Sequence, residues 1–163
     1  LGDVYKRQVM DIADLLSPDG IVLRGGASSK RQALHAVAEA FAGATGMDAD
    51  RTLEALLERE ALGSTGLGSG VAVPHARIKG LDQVCAVFVR LDAPIAYESL
   101  DDRPVDLLFA LFAPLDAGAE HLRALAAVSR ALRSPELREQ LRQARTVDAI
   151  RALFVKDMSK TAA

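Results

Sequence analysis

A histidine, an arginine and four glycines stand close together in residues 59–76, Arg-Glu-Ala-Leu-Gly-Ser-Thr-Gly-Leu-Gly-Ser-Gly-Val-Ala-Val-Pro-His-Ala. Glycines adopt positive φ readily, so successive backbone N–H groups can turn toward one point and bind an anion without a dedicated side chain. We therefore predict that this loop binds phosphate. The residues predicted to form this phosphate loop are Gly63, Ser64, Thr65, Gly66, Gly68 and Gly70.

His75 follows the loop, directly after Pro74. Proline fixes its own φ and favours an extended Val73, so the strand predicted at 71–73 should end here and present the histidine. An imidazole with a pKa of about 6.5 is largely neutral near pH 7 and can act as a nucleophile. The pattern indicates phosphoryl transfer through a phosphohistidine. A glycine-rich surface loop ending in an ordinary strand histidine is the alternative that spacing alone leaves open.

Two other phosphate-binding loops do not fit this stretch. A Walker A loop requires Gly-Lys-Ser/Thr at the start of a helix, and the stretch has no Gly-Lys pair. A dinucleotide-binding loop requires a strand before the glycines and a helix after them. The order predicted here is the reverse, with a helix over 53–62 and a strand over 71–73. The nucleophile is therefore expected after the loop.

Residues 59–75 and the later Pro-Val-Asp-Leu-Leu-Phe-Ala-Leu-Phe-Ala-Pro at 104–114 resemble the fructose/mannitol-type enzyme IIA domains of the phosphotransferase system (PTS EIIA type 2). The greatest resemblance is to the nitrogen-related enzyme IIA regulators, and it extends from about Met10 to Phe154. It implies that His75 is phosphorylated. It also implies that the protein is a phosphohistidine carrier, a component of a protein-to-protein phosphotransferase, rather than a metabolic enzyme.

Arg59 and His121 are the two predicted helpers. Arg59 stands in the last turn of the helix before the loop, where a basic residue could simply offset the negative end of the helix dipole. His121 recurs at helical spacing with Leu125 and Val128, so a core-edge histidine is its ordinary interpretation. The resemblance instead implies that Arg59 stabilises the phosphoryl oxygens. It implies that His121 positions the phosphoryl group without carrying it.

The same resemblance implies the partners. An HPr-type phosphocarrier protein is the expected donor, docking over an apolar rim around Leu67 and Val71. The phosphorylated protein then either regulates target proteins, as a nitrogen regulator, or passes phosphate to an enzyme IIB, as a sugar-specific IIA; we favour the regulator. A non-catalytic binding module of the same fold is the third hypothesis, disfavoured because both histidines and the arginine are present. No cofactor and no metal is expected.

The elements around these residues predict an α/β fold, a single-domain sandwich with a central mixed β-sheet flanked by helices on both sides. The runs 84–91 and 105–112 are apolar on both faces, as in strands covered by helices. Short strands are also predicted at 21–23 and 95–97, with a break at 17–20. Helices are predicted after Ser28 or Ser29 to about Gly43, after Asp48 or Asp50, after Asp116 or Gly118, from Pro135 and after Thr146.

Composition limits the function classes. The 163 residues carry a net charge of −2 and half are hydrophobic, which suits one globular domain and gives no reason to expect nucleic acid as a partner. Cys85 is the single cysteine and is expected to be a buried thiol. No run approaches the roughly 20 apolar residues of a membrane span, so we expect a cytoplasmic protein with no membrane insertion.

Both ends of the chain are expected to lie outside the domain at 10–155. Residues 1–9 do not match the family and are predicted to be a non-native or disordered leader. Residues 156–163 are predicted to be a frayed tail. Within the last third of the domain, arginines are frequent and interleaved with acidic residues, so we interpret them as a solvated face that could also dock a partner. They stand at positions 123, 130, 133, 138, 142, 145 and 151.

Overall fold

The computed structural model describes residues 11–162, so the predicted leader at 1–9 lies outside the described residues. The helices are α1 (Ile12–Leu15), α2 (Lys30–Thr45), α3 (Ala49–Ala61), α4 (Ala119–Ala131), α5 (Pro135–Gln143) and α6 (Val147–Ala162). The strands are β1 (Leu16–Gly25), β2 (Gly66–Gly68), β3 (Val71–Ala72), β4 (His75–Arg77), β5 (Cys85–Ile95) and β6 (Val105–Ala113).

The strands form one mixed sheet in the order β1-β5-β6-β3-β2, with β4 also paired to β6. β5 and β6 are antiparallel and form its centre, while β1 pairs with β5 in parallel. β3 and β4 are both parallel to β6 and continue one another along it. Only Val73 and Pro74 separate them. Hydrogen bonding to β6 continues across this gap, because Leu111 N donates to the Pro74 carbonyl.

Helices cover both faces of this sheet, which confirms the predicted sandwich. One core packs α2 and α3 onto the sheet, with Phe41 stacked on Phe112 at 4.1 Å between ring centroids. The other core packs α1, α4, α5 and α6 onto the opposite face. There Phe154 of α6 meets Phe109 edge-on at 5.1 Å and Phe88 at 6.2 Å. The central strands are apolar on both faces because helices bury both.

Side-chain caps explain where most helices begin. Asp11, Ser29, Asp48 and Ser134 each accept a hydrogen bond from a backbone N–H in the first turn of the helix that follows. Thr146 accepts from Ala149 N in the same way. The predicted starting points are confirmed for these helices. α4 begins after Gly118 with no side-chain cap.

Some predicted boundaries are wrong. β1 is much longer than the predicted strand at 21–23. Residues 17–20 were predicted to break the chain, but they continue the strand and only shift its register with β5. α2 runs past Gly43 to Thr45, because the left-handed residue that ends it is Gly46, with φ 79°. Of the predicted short strand at 95–97, only Ile95 is in a strand, as the last residue of β5. α6 continues to Ala162, so the backbone of residues 156–162 is helical where a frayed tail was predicted.

Two of the C-terminal arginines are structural rather than merely solvated. Arg142 donates to both carboxylate oxygens of Asp106, at 2.9 and 3.0 Å, and to the Ser69 carbonyl. Arg138 donates to the carbonyls of Leu132 and Arg133 after α4. The guanidinium fork suits such multiple acceptors. These two side chains therefore connect neighbouring elements.

Cys85 is half-buried rather than fully buried, and burial raises the pKa of its thiol to about 11. Among residues 11–162, no helix combines the length and apolarity needed to cross a membrane.

The packing of Phe154 predicts that α6 is anchored by one ring. Phe154→Ala should lower the free energy of unfolding by about 3 kcal/mol or more, because a fully buried ring leaves a cavity between α6 and the sheet. Phe154→Leu, which keeps most of the apolar volume, should cost about 1.5 kcal/mol or less. Urea denaturation of the three proteins measures both values. Equal losses for the two variants would contradict the cavity explanation.

Candidate functional site

β4 positions His75 at the edge of the sheet. His75 pairs with Leu111 of β6, and no strand of the described residues pairs on the other side of β4. The His75 ring lies 3.0 Å from the Val73 carbonyl through Nδ1. A carbonyl oxygen can only accept, so Nδ1 carries the proton and Nε2 has the free lone pair. The predicted strand at 71–73 ends at Ala72, and His75 begins β4 rather than following the end of a strand, while the Val73 carbonyl sets the tautomer of its ring.

Arg59 reaches His75 from the last turn of α3. Its Nε donates to His75 Nε2 at 3.0 Å, and its Nη1 donates to the Gly63 carbonyl at 2.9 Å. The first bond agrees with the tautomer inferred from Val73, because Nε2 must accept. The second bond holds the guanidinium against the turn that ends α3. The arginine is thus placed by the start of the loop and directed at His75.

His121 approaches the same ring from the other face of the sheet. It stands in the first turn of α4 and is 5% exposed. Its ring centroid lies 5.6 Å from that of His75, at an interplanar angle of 59°. Its buried Nδ1 has no hydrogen-bond partner among the described residues. The structure therefore brings together the three side chains that the sequence predicted as a site, one from each of β4, α3 and α4.

The environment keeps both histidines neutral. Burial is the main cause that lowers the pKa of His75 below its usual value, and the Arg59 charge lowers it further, while the bond to the Val73 carbonyl acts in the opposite direction. Burial also lowers the pKa of His121, assisted by the charges of His75 and Arg77. A neutral imidazole at physiological pH is the form that can attack phosphorus.

A pocket of about 450 Å³ opens over this group. Its floor includes His75, His121 and Arg59, and two leucines at its mouth are strongly exposed, Leu62 at 84% and Leu122 at 65%. Exposed leucines beside a polar site are the composition of a protein docking surface. We call Leu62 and Leu122 the leucine rim. The sequence analysis missed both residues, because nothing in their local pattern separates an exposed leucine from a core one.

The predicted apolar rim at Leu67 and Val71 is wrong. Val71 is 1% exposed and belongs to the core on the α4 face. Leu67 is exposed, but it lies in β2, at the opposite end of the β3–β4 line from His75. The alternation of a strand sends Val71 inward, which the glycine-rich sequence around it concealed.

Most of the glycine-rich loop is not at the site either. β2 and β3 form an antiparallel hairpin whose turn is Ser69 and Gly70, both with positive φ, 57° and 83°. A Cβ at Gly70 would collide with Arg142, so this turn requires glycine. From Gly70 to His75 an extended chain covers about 16 Å. Gly68 and Gly70 thus serve the hairpin.

The polar groups of the loop are already used within the fold. Thr65 N donates to Glu60 at 2.9 Å, Ser69 N donates to Asp101 at 2.9 Å, and Gly66 N donates to Ser64 Oγ at 3.1 Å. The predicted phosphate loop therefore has no support in this arrangement, because these N–H groups point to separate acceptors. Of the six predicted loop residues, Gly63 is the one bonded to Arg59.

A buried cluster behind the loop was not predicted. Glu60 accepts from the Thr65 hydroxyl at 2.6 Å and forms an ion pair with Lys30 at 2.8 Å, with its own side chain 6% exposed. The Thr65 hydroxyl also lies 3.1 Å from the Tyr97 hydroxyl. Glu60 follows Arg59 in the chain, so this cluster fixes the turn that holds the arginine. Lys30 and Tyr97 are too distant in sequence for any local pattern to indicate it.

The geometry predicts that Arg59 depresses the pKa of His75. Arg59→Gln should raise it toward the ordinary value, since the variant removes both the repelling charge and the bond that requires an unprotonated Nε2. Arg51→Gln, which removes the same charge from an exposed position of α3, is the control and should leave the His75 midpoint unchanged. NMR titration of the imidazole C–H resonances measures both. An unshifted midpoint in Arg59→Gln would contradict the electrostatic role.

Comparison with known proteins agrees, over most of the chain, with the family resemblance seen in its sequence. The family model for the phosphoenolpyruvate-dependent sugar phosphotransferase system, EIIA 2, matches residues 14–157. The chain is 45% identical over 141 residues to a nitrogen regulatory protein of Bradyrhizobium diazoefficiens, covering 86% of this chain and 92% of that protein. It is 35% identical over 109 residues to a fructose-specific EIIA component of a PTS system in Haloferax volcanii, covering 67% and 71%.

A solved structure agrees with the fold. The nitrogen regulatory protein IIA-Ntr of Neisseria meningitidis superposes with a TM-score of 0.82 at 32% identity, covering 88% of this chain and 98% of that one. Sequence and structure therefore point to one family, and the resemblance predicted from residues 59–75 and 104–114 is confirmed. The chain belongs to the EIIA type 2 family of the phosphotransferase system.

Proposed function

We propose that this protein is a phosphocarrier of a nitrogen-related phosphotransferase system, accepting a phosphoryl group from an HPr-type protein on His75. The carrying observation is the orientation of the His75 ring, whose Nδ1 faces the Val73 carbonyl while Nε2 faces Arg59 in the pocket shared with His121. The phosphorylated and free forms would then regulate other proteins. Family membership supports a role in phosphate carriage, and the geometry supports this residue as the carrier.

Nε2 is the attacking atom in this proposal. The transfer forms a bond between Nε2 and phosphorus while the P–N bond of the donor phosphohistidine breaks, and its electron pair returns to the donor ring. The donor ring, protonated on its other nitrogen, leaves as neutral imidazole. His75 becomes a phosphoimidazolium that retains its proton on Nδ1, where the Val73 carbonyl still accepts it. Atoms and charge balance without nucleotide or metal.

Arg59 has two positions in this scheme. Its Nε–H occupies the Nε2 lone pair in the free protein, so this bond must open before attack. The freed N–H groups are then close to the entering phosphoryl oxygens, so that bonds to charged oxygens replace a bond to a neutral ring nitrogen. The bond from Nη1 to the Gly63 carbonyl keeps the guanidinium nearby during the exchange. Arg59 would thus protect the nucleophile and afterwards stabilise the product.

His121 is suited to hold the phosphoryl group from the opposite side. Neutral imidazole can donate one hydrogen bond, and this ring is already buried, so it loses little freedom when it binds. The buried Nδ1 lacks a partner among the described residues, whereas His75 Nδ1 has the Val73 carbonyl. His75 is therefore the better oriented nucleophile, and His121 the better positioning group.

The nitrogen regulator is preferred to a sugar-specific IIA that passes phosphate to an enzyme IIB. The relative named as a nitrogen regulatory protein shares 45% of its aligned residues with this chain, and the fructose-specific component shares 35%. The sugar-specific function is the second candidate, because both kinds of protein would use the same site. A binding module without phosphotransfer would not require a histidine whose unprotonated Nε2 faces an arginine, which is the arrangement of His75 and Arg59.

The first prediction from this proposed function concerns the carrier residue. Incubation with phosphoenolpyruvate, enzyme I and an HPr-type protein should add one acid-labile phosphoryl group to the wild type and none to His75→Ala, because no other histidine has an oriented lone pair beside Arg59. His121→Ala should still be modified, but at least about tenfold more slowly, the usual effect of losing an acid–base or positioning group. Intact mass spectrometry at timed intervals measures this.

His35→Ala is the matched control, since His35 is exposed and pairs with Glu39 on α2. It should be modified at the wild-type rate. A wild type that stays unmodified with both sugar-type and nitrogen-type donors would overturn the carrier function. It would favour the binding module.

The leucine rim gives the second prediction. Leu62→Ala and Leu122→Ala should each raise the KM for the protein donor about fivefold or more, because truncating an apolar hot spot of a docking surface costs about 1 kcal/mol or more. The rate with phosphoramidate, a small donor that needs no docking, should not change. Leu100→Ala, equally exposed at 84% but outside the pocket, is the control. Equal KM values for all three variants would place donor docking elsewhere.

A further inference from the structure

Arg77 faces the same side of β4 as His75. Along a strand, neighbouring side chains alternate between faces, and residues two apart share one. Ala76 is buried in the core on the α2 and α3 side, so His75 and Arg77 both face the side of α4. Their Cα atoms are about 6.6 Å apart at the usual strand rise. Arg77 therefore stands beside the nucleophile, although no pattern in the sequence distinguished it.

One edge of the Arg77 guanidinium is committed to the fold. Nη1 donates to the carbonyls of Leu115 and Ala117. These residues belong to the segment that leads from β6 into α4, and α4 begins two residues later and carries His121 in its first turn. Arg77 thus ties the strand that carries the nucleophile to the helix that carries the second histidine.

The other edge of the guanidinium has no partner among the described residues. Nε and Nη2 of Arg77 make no hydrogen bond with the described residues, and the side chain is exposed in the pocket that also contains His75, His121 and Arg59. The Arg77 charge is close enough to lower the pKa of His121. Arg59 enters the pocket from α3, on the other face of the sheet. His75 therefore shares its pocket with two guanidinium groups, and each of them is fixed by one nitrogen bonded to backbone carbonyls.

We propose that Arg77 is a further phosphoryl-binding residue, whose free guanidinium edge donates to an oxygen of the phosphoryl group on His75 from the side opposite Arg59. This inference rests on the proposed carrier function. A phosphoryl group has three terminal oxygens, and one arginine with one histidine leaves one of them without a protein donor. Arg77 has two unused N–H-bearing nitrogens on the correct face. Its anchored edge means that little side-chain freedom is lost on binding.

A purely structural role for Arg77 is the competing explanation, and Arg138 provides its matched control. Arg138 also donates from Nη1 to two carbonyls, those of Leu132 and Arg133, but at the opposite end of α4 and outside the pocket. Arg138→Gln and Arg77→Gln remove the same charge and the same kind of bonds. Only the second removes a cation beside His75.

The experiment measures phosphorylation of His75 in wild type, Arg77→Gln, Arg77→Lys and Arg138→Gln, with phosphoramidate and with an HPr-type donor. We expect Arg77→Gln to react about tenfold more slowly with both donors, as for loss of a charge-assisted hydrogen bond at a half-open site. Arg77→Lys, which keeps the charge, should recover most of the rate. Arg138→Gln should react like the wild type. Thermal melting verifies that all four proteins are folded.

The phosphorylated proteins give a second readout that a structural role would not change. A cation bonded to a phosphoryl oxygen favours the dianion, so the ³¹P resonance of phosphorylated His75 should titrate at higher pH in Arg77→Gln than in wild type or Arg77→Lys. An equal midpoint and an equal rate in Arg77→Gln would overturn the assignment of Arg77 and leave the carrier function intact. Equal slowing in Arg77→Gln and Arg138→Gln would also overturn it. A wild type that accepts no phosphate from either donor would overturn both proposals.

Discussion

The pairing of residues 71–77 with β6 is the constraint on which the candidate site depends. These residues follow β6 in parallel as β3 and β4 and are interrupted only at Val73 and Pro74. The interruption turns the Val73 carbonyl toward His75 Nδ1, at 3.0 Å. One feature of the backbone thereby sets the place of His75, its tautomer and the direction of its lone pair. Catalytic geometry held by a sheet is more precise than geometry held by a loop.

The edge position of β4 explains how groups from both layers converge on His75. α3 packs on one face of the sheet and α4 on the other, so helices on opposite sides can meet only at an edge that no further strand covers. Arg59 and His121 reach the imidazole around that edge. The same opening exposes Leu62 and Leu122 to a partner. An exposed strand edge can pair with another chain and aggregate. Here helix ends and charged side chains cover the edge.

Buried polar groups stabilise the parts of the site that have no regular structure. The Glu60–Lys30 pair, with side chains 6% and 20% exposed, fixes the turn after α3. The Thr65 hydroxyl donates to the Glu60 carboxylate and also lies within hydrogen-bond distance of the Tyr97 hydroxyl. Removing one partner of such a pair typically costs about 3 to 5 kcal/mol, because the remaining charge is left buried. Arg59, beside His75, is therefore supported by a network that lies outside the pocket.

The amino-acid sequence predicts the sandwich, the apolar central strands, a helix start at Pro135, starts narrowed to Ser28 or Ser29 and to Asp48 or Asp50, and the grouping of Arg59, His75 and His121. Those features follow from periodicity, capping residues and proline, which act locally, and from motifs whose residues match those of the family. Tertiary packing alone shows that Gly68 and Gly70 serve a hairpin, that Val71 is buried, and that Leu62, Leu122 and Arg77 line the pocket with His75. Sheet register and helix packing determine these distances, and neither is encoded in the spacing of any one segment.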